Sequence, residues 1–238
     1  MKSFGTRCLA LWGAAVWCAG CSGETDLPGE DPKDADLGRS EQAFTASQPG
    51  VRPTIYDFTA SQRTTLVNGI LAFITQPILD EHSNAHDWHH PAVGELFFSR
   101  HHDYLKKLET YLLNNGLSQF VPVPEWNPGT AIPSQFMVAD PLVSQSPMNQ
   151  NPNQPPPAAF ADNVLCAFAT ASAMAVQAEN WHDGVHGAVG GPMGSISSAP
   201  GAPIFWLWHG FLDDMYHERT WRCETVPALF VGIASIPS

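Results

Sequence analysis

Histidine is where this sequence concentrates its chemistry. Of ten His, six fall between residues 82 and 102 and three between 182 and 209. The later window contains His182-Asp183-Gly184-Val185-His186, and a four-residue step on a helix presents both imidazoles on one face, as two nitrogen ligands to one metal ion. His209, in the apolar stretch that follows, adds a third. Three imidazoles with no obvious carboxylate ligand suit copper better than calcium or magnesium, and zinc is also admissible. The earlier window, His82, His86, His89 and His90 followed by His101, supplies a second set of three. Two such sets on opposed helix pairs would hold two metals close together. A dicopper pair can pass two electrons to dioxygen, which protein side chains cannot do alone.

Such ligands need rigid elements to aim them. Thr59-Ala60-Ser61-Gln62 is a capping-box pattern, and Leu66, Ile70, Phe73 and Ile74 recur at helical spacing, so a first helix is expected from about residue 60. Pro77 must kink or interrupt it, after which Ile78, His82 and His86 continue one face. A second helix is expected over 95–113, with Phe97, His101, Leu105, Leu108 and Leu112 as its apolar stripe and Asn114-Asn115-Gly116 as its stop. His101 then points inward, and His102 falls on the wetter side with Lys106. Between Val121 and Pro157 there are ten prolines, the composition of a long non-helical insertion of the kind that forms lids or stays disordered. A third helix is expected over 158–186 and a fourth from about Ile204 through His209, Leu212, Asp213 and Tyr216. The expected fold is mainly α, an antiparallel four-helix core holding a dinuclear metal site, with long irregular loops.

Composition narrows the partners. The chain has 238 residues with 11 basic and 23 acidic side chains, a formal charge of −12, which excludes a nucleic-acid binder because phosphates need Lys and Arg. Residues 1–20 combine Lys2 and Arg7 with a short apolar run and read as an export signal. Ala19-Gly20-Cys21 resembles a bacterial lipobox, which predicts a lipid on Cys21 and an anchor at the cell envelope; Cys18 where that motif usually has Leu leaves simple cleavage, with a periplasmic or secreted product, as the alternative. Residues 21–50 are an acidic tether, too poor in apolar residues to order themselves, and 51–238 form the domain. Cys166 and Cys223 remain as either a disulfide or two buried thiols.

Three motifs in order resemble the tyrosinase family, the type-3 copper proteins that include catechol oxidases and haemocyanins. Ala202-Pro-Ile-Phe-Trp-Leu-Trp-His-Gly-Phe-Leu-Asp213 resembles D-P-I-F-W-L-H-H-A-N-x-D, with Trp208 in place of the first His and Ala202 in place of Asp. His182 to His186 resembles H-N-x-x-H, with Asp183 where Asn is common, and Gly190-Gly191-Pro-Met193 resembles the G-G-x-M that follows. Phe97 to Leu105, ending in Glu109, resembles F-L-P-W-H-R-x-Y-L-x-x-x-E, with Ser99-Arg100 replacing Pro-Trp.

The resemblance implies two copper ions. It assigns His82, His90 and His101 to the first, with His89 as an alternative to His90 and His86 to His82, and His182, His186 and His209 to the second. His86, His102 and His217 otherwise read as surrounding or surface residues. It also implies oxidation of phenols or catechols to o-quinones by dioxygen. Asp183 is then a candidate for orienting a water as the base that takes the phenolic proton, or else a helix-surface acid. Asp213 reads as a carboxylate that orients an imidazole, and Phe205, Trp206 and Trp208 as core or pocket wall. Two other classes stay open. One is a zinc hydrolase, because His182-Asp-Gly-Val-His186 mimics H-E-x-x-H; the other is a non-catalytic copper and dioxygen binder. Oligomeric state is not legible.

Overall fold

The structure, a computed structural model, describes residues 52–84, 96–161, 164–220 and 223. The expected export signal, the lipidated Cys21, the acidic tether, and His86, His89 and His90 lie outside the described residues. Within them the chain is helical and carries no strand, only an isolated bridge between Thr54 and Glu125. Five α-helices account for the architecture: α1 (Ala60–Phe73), α2 (Gln76–Asn84), α3 (Leu96–Asn114), α4 (Ala171–Val189) and α5 (Pro203–Thr220). Among the described residues no helix is long and apolar enough to cross a membrane.

The caps explain most boundaries. Thr59 accepts the backbone N–H of Gln62 while the Gln62 side chain accepts the Thr59 N–H, so the reciprocal box starts α1 as expected. Pro77 does not kink a continuous helix. It falls in the first turn of a separate α2, where the missing N–H costs nothing. The expectation of a third helix from residue 158 is corrected: α4 begins at Ala171, where Thr170 accepts the N–H of Ala173. Before it run two single 3-10 turns, Ala158–Phe160 and Leu165–Ala167, the second containing Cys166, which is disulfide-bonded to Cys223 with a Cα separation of 5.3 Å. The alanine-rich composition favours an earlier start in isolation, but the covalent tie at Cys166 falls across it and the Thr170 cap sets the start at Ala171.

α5 is the centre of the domain. Ile204, Phe205, Trp206, Leu207 and Trp208 are all fully buried, so the helix is surrounded on every side along its first half. It packs against α3, α1 and the 3-10 turn Ala199–Gly201, and α3 also packs on α4. The stripe expected on α3 is buried as read, with Phe98, Tyr104 and Glu109 joining it.

The proline-rich segment 121–157 is neither disordered nor a lid over the histidines. Trp126, Ile132 and Phe136 are buried in the core. Backbone N–H groups of Trp126, Asp140 and Asn149 donate to the carbonyls of Leu207, Gly201 and Val189, strapping the segment to both ends of the α4–α5 connection. Close approach is built in at Gly210, where an added Cβ would stand 3.1 Å from the Pro124 carbonyl oxygen.

One buried ion network ties the start of the described chain to this core. Arg52 donates to Glu109 Oε1 at 2.7 Å, to Asp213 Oδ2 at 2.5 Å and to the Val123 carbonyl at 2.9 Å. Burial opposes all three charges, but pairing prevails. The carboxylates hold the Arg52 pKa above its ordinary value, Glu109 is lowered by Arg52 and Lys106, and Asp213 is lowered far further by His102, His217 and Arg52. Asp214 is the opposite case: burial pushes its carboxyl up to about 6 despite the Arg52 N–H that it accepts at 3.3 Å.

Removing Arg52 leaves two buried carboxylates uncompensated, so Arg52→Met is expected to cost about 3–5 kcal/mol at pH 7, read by urea denaturation. The depressed Glu109 and Asp213 contribute stability that is present above the ordinary carboxylate range and lost as pH falls below about 4. The raised Asp214 contributes the reverse, stability present at low pH and lost as pH rises through about 6. Asp214→Asn is therefore expected to gain stability relative to wild type at pH 8 and not at pH 4. An unchanged difference between those pH values would contradict this.

Candidate metal centre

Five of the six expected ligand histidines are described, and four helices bring them together. His82 comes from α2, His101 from α3, His182 and His186 from α4 and His209 from α5. All but His186 are buried to within a few per cent.

Each ring is held by its Nδ1. His101 and His209 bond the carbonyls one turn back in their own helices, Phe97 and Phe205, both at 2.7 Å. His186 and His82 bond carbonyls of the connection between α4 and α5, Met193 at 2.9 Å and Ile196 at 2.8 Å. His182 bonds the Asp183 carboxylate at 3.0 Å. A carbonyl or carboxylate oxygen can only accept, so Nδ1 carries the proton in every ring and the Nε2 lone pair is turned the other way. This arrangement of imidazole and acceptor typically orients a metal ligand.

The Nε2 atoms converge. His182 Nε2 lies 3.0 Å from His209 Nε2 and 2.9 Å from His186 Nε2. With all three protons on Nδ1, three lone pairs face one another, an arrangement that calls for a shared cation. Nitrogens at about 2.0–2.1 Å from one tetrahedral ion stand roughly 3.3 Å apart, close to the separations here. The residues therefore fit a metal on the chemistry of their donor set. His101 joins the group, its ligand nitrogen and those of His182 and His209 all within 4.8 Å of one another. Its ring stacks on His209 at a centroid distance of 4.4 Å and lies 6.3 Å from His82, so it stands between the two expected sets.

Apolar rings pack against this cluster. Phe205 sits 3.9 Å from His209 and edge-on to His82 at 5.1 Å. Phe97 lies 4.7 Å from His101 and 5.1 Å from His182. Burial and the neighbouring imidazoles of His101 and His186 push His209 well below its ordinary pKa, so it is neutral and ready to ligate at pH 7. Tyr104, whose ring is 5.7 Å from His82, donates its hydroxyl to the Ile78 carbonyl and steadies α2.

Two consecutive glycines make the turn that reaches back to two of these rings. Gly190 and Gly191 take φ of 65° and 57°, and a Cβ on Gly191 would stand 2.7 Å from the Ser146 carbonyl oxygen. That turn delivers the Met193 and Ile196 carbonyls. Beside it opens a pocket of about 270 Å³ lined by His82, His182, Asp183, His186, Met193, Ser195 and Ile196. No described residue of 121–157 lines it.

Other sequence expectations are placed differently. Asp213 does orient an imidazole, but that of His102, at 2.7 Å, and not a member of the cluster. His102, on the wetter side with Lys106 as expected, is half-buried through this pairing between α3 and α5. Trp208 lies nearly parallel to the His182 ring at 6.3 Å and is fully buried, a wall where the family motif has a histidine. Arg52 escaped the sequence reading altogether. Its partners Glu109 and Asp213 are 57 and 161 positions away, and the one available signal was that both acids belong to the quoted motifs.

Residues 125–222 match the family model described as the common central domain of tyrosinase. Neither the curated proteins nor the solved structures contain a match to the chain. The matched span holds α4, α5 and hence His182, His186 and His209, while α2 and α3, with His82 and His101, precede it. The family match thus stands for residues 125–222, which are similar to the common central domain of tyrosinase.

Proposed function

We propose that this protein is a copper oxidoreductase that oxidises single-ring phenols or catechols to o-quinones with dioxygen. The observation that carries the reading is the convergence of imidazole lone pairs, each ring pinned through Nδ1, beside a pocket of about 270 Å³. That volume lies just below the roughly 300–1,000 Å³ of sites for drug-sized ligands, which suits one aromatic ring. His82 and His101, with His90 or His89, would hold one copper, and His182, His186 and His209 the other. Bound there, the copper pair supplies the electron transfer to dioxygen that the side chains cannot.

The chain's own residues do the rest. Phe97 and Phe205 hold the cluster's rings by packing, and Met193 and Ile196 offer apolar surface to a ring in the pocket. Asp183 lines the same pocket with a side chain 66% exposed, and we assign it to accept the phenolic proton, directly or through a water. The zinc-hydrolase reading finds less support, because it leaves His82 and His101 without work. An oxygen carrier keeps the same ligands but has no use for the ring-sized pocket. We also place the protein outside the cytoplasm, anchored by lipid on Cys21; the Cys166–Cys223 disulfide suits an oxidising compartment.

Purified from copper-replete medium, the exported protein is expected to contain two copper ions per chain by elemental analysis. His186→Ala or His209→Ala is expected to lose about one of them with most of the helical signal retained. Gly191→Ala, which strains the turn behind His186 and His82, should lower copper affinity by about 10–100-fold, the usual effect of disturbing the groups that orient ligands. Stoichiometric zinc without copper would overturn the assignment.

The two-copper protein is expected to oxidise a catechol faster than its matched monophenol. A diphenol needs electron transfer and two deprotonations, whereas a monophenol also needs its ring aligned for oxygen insertion. Asp183→Asn should lower the catechol rate by about 10² and shift its pH profile. Monophenol turnover equal to catechol turnover would contradict the ordering, and reversible dioxygen binding with neither substrate oxidised would favour the carrier. For the anchor, Cys21→Ser should release the protein from membranes or block its processing.

A further inference from the structure

A second group of ligand-type side chains lies outside the imidazole cluster, between α3 and the end of α5. It consists of His102, Asp213 and His217. His102 Nδ1 is 2.7 Å from Asp213 Oδ1, His217 Nε2 is 3.5 Å from the same oxygen, and the two ring nitrogens are 3.3 Å apart. We propose that these three residues form a separate site for one divalent cation of borderline softness, of which Zn²⁺ is the type.

The donors are two imidazoles and one carboxylate oxygen, a set that zinc accepts, with the fourth position left to water. Two of the three separations already match the roughly 3.3 Å edge of a tetrahedron with ligands at about 2.0–2.1 Å. The third, a hydrogen-bond distance, opens to the same value by a small rotation of His102. Asp213 is fixed for the role: its side chain is 2% exposed and Arg52 holds Oδ2, which leaves Oδ1 turned to the imidazoles. The rings are reachable, with side chains 29% and 37% exposed. Arg52 opposes a cation by its charge, but it is shared with Glu109 and lies on the far oxygen. The last turn of α5, which carries His217, adds the negative end of the helix dipole in the cation's favour.

The placement has a consequence for the main centre. His102 follows His101 directly, and Asp213 and His217 follow His209 at steps of four along one face of α5. A cation here would clamp together the two helices that carry His101 and His209, one turn, about 6 Å, beyond the cluster. The site binds a structural or modulating ion and takes no part in the reaction.

Copper-loaded full-length protein, freed of loosely bound metal, should be titrated with ZnCl₂ by calorimetry, alongside His217→Ala and His217→Gln. The expected result is one Zn²⁺ per wild-type chain beyond its copper, at least about tenfold weaker in both variants, since loss of a ligand exceeds the 10–100-fold effect of disturbing a ligand's support. Zn²⁺ should also raise the melting temperature of the wild type and not of the variants. If the protein holds no copper, the same titration still decides, because the wild type must take up one Zn²⁺ more than His217→Ala. Equal uptake by wild type and both variants, or no Zn²⁺ binding beyond the histidine cluster, would overturn the proposal. A variant that fails to fold by far-UV circular dichroism is replaced by the other, since Gln keeps a hydrogen-bonding amide where Ala does not.

Discussion

Everything around the cluster answers to one constraint: several neutral imidazoles are buried with their lone pairs aimed at one place. A buried polar ring is costly unless it is hydrogen-bonded, and here every Nδ1 finds an acceptor close by. That bond does two things at once. It offsets the desolvation of the ring, and it fixes the tautomer so that Nε2 cannot satisfy itself by donating. Two rings use their own helix carbonyls, which needs only a histidine at the right register. The rings of His82 and His186 need the α4–α5 connection brought back over them, which explains the glycine pair with positive φ and the straps from Asp140 and Asn149 that hold that connection down.

The Arg52 network meets the same constraint from the other side of the helix pair. α3 and α5 face each other through His101 and His209 at one level and through Glu109, Asp213 and His102 further along. Buried carboxylates there would be as costly as unpaired imidazoles, and one guanidinium neutralises both while bonding the Val123 carbonyl as well. Such a network adds little net stability compared with an apolar core, and it joins the same two helices whose His101 and His209 rings stack.

Features that depend on neighbours in sequence were legible. The His182–His186 step, the α3 stripe ending at Asn114 and the Thr59 box are local patterns, and each element formed where its pattern lay. The start of α4 was misread because alanine content favours helix in isolation, whereas a disulfide from Cys166 to a residue 57 positions away lies across that stretch. The proline-rich segment looked like a lid or a disordered loop for a similar reason. Its order comes from Trp126, Ile132 and Phe136 entering a core assembled by distant helices, and composition does not record that. Arg52 and the pairing of His102 with Asp213 were invisible because they are contacts across the fold with no spacing to betray them.

One asymmetry in the cluster bears on reactivity. Four of the five described rings lean on a backbone carbonyl, whereas His182 leans on a carboxylate. A charged acceptor draws the Nδ1 proton more strongly and makes Nε2 a better electron donor, so His182 is favoured as the strongest donor of its set. Solvent weakens this effect, since the Asp183 side chain is largely exposed. The same exposure is what lets the residue meet a substrate. A carboxylate has about four lone-pair sites on two oxygens, so accepting one N–H does not exhaust it. Asp183 can therefore steady His182 and take a proton from a ring in the pocket, and the two roles compete only to the extent that protonation of the carboxylate slackens its hold on Nδ1. An Asn at this position keeps the oxygen that accepts from Nδ1 and loses the basic one. The Asp that distinguishes this chain from the common family pattern thus gives up some constancy of ligand field for a proton acceptor at the edge of the centre.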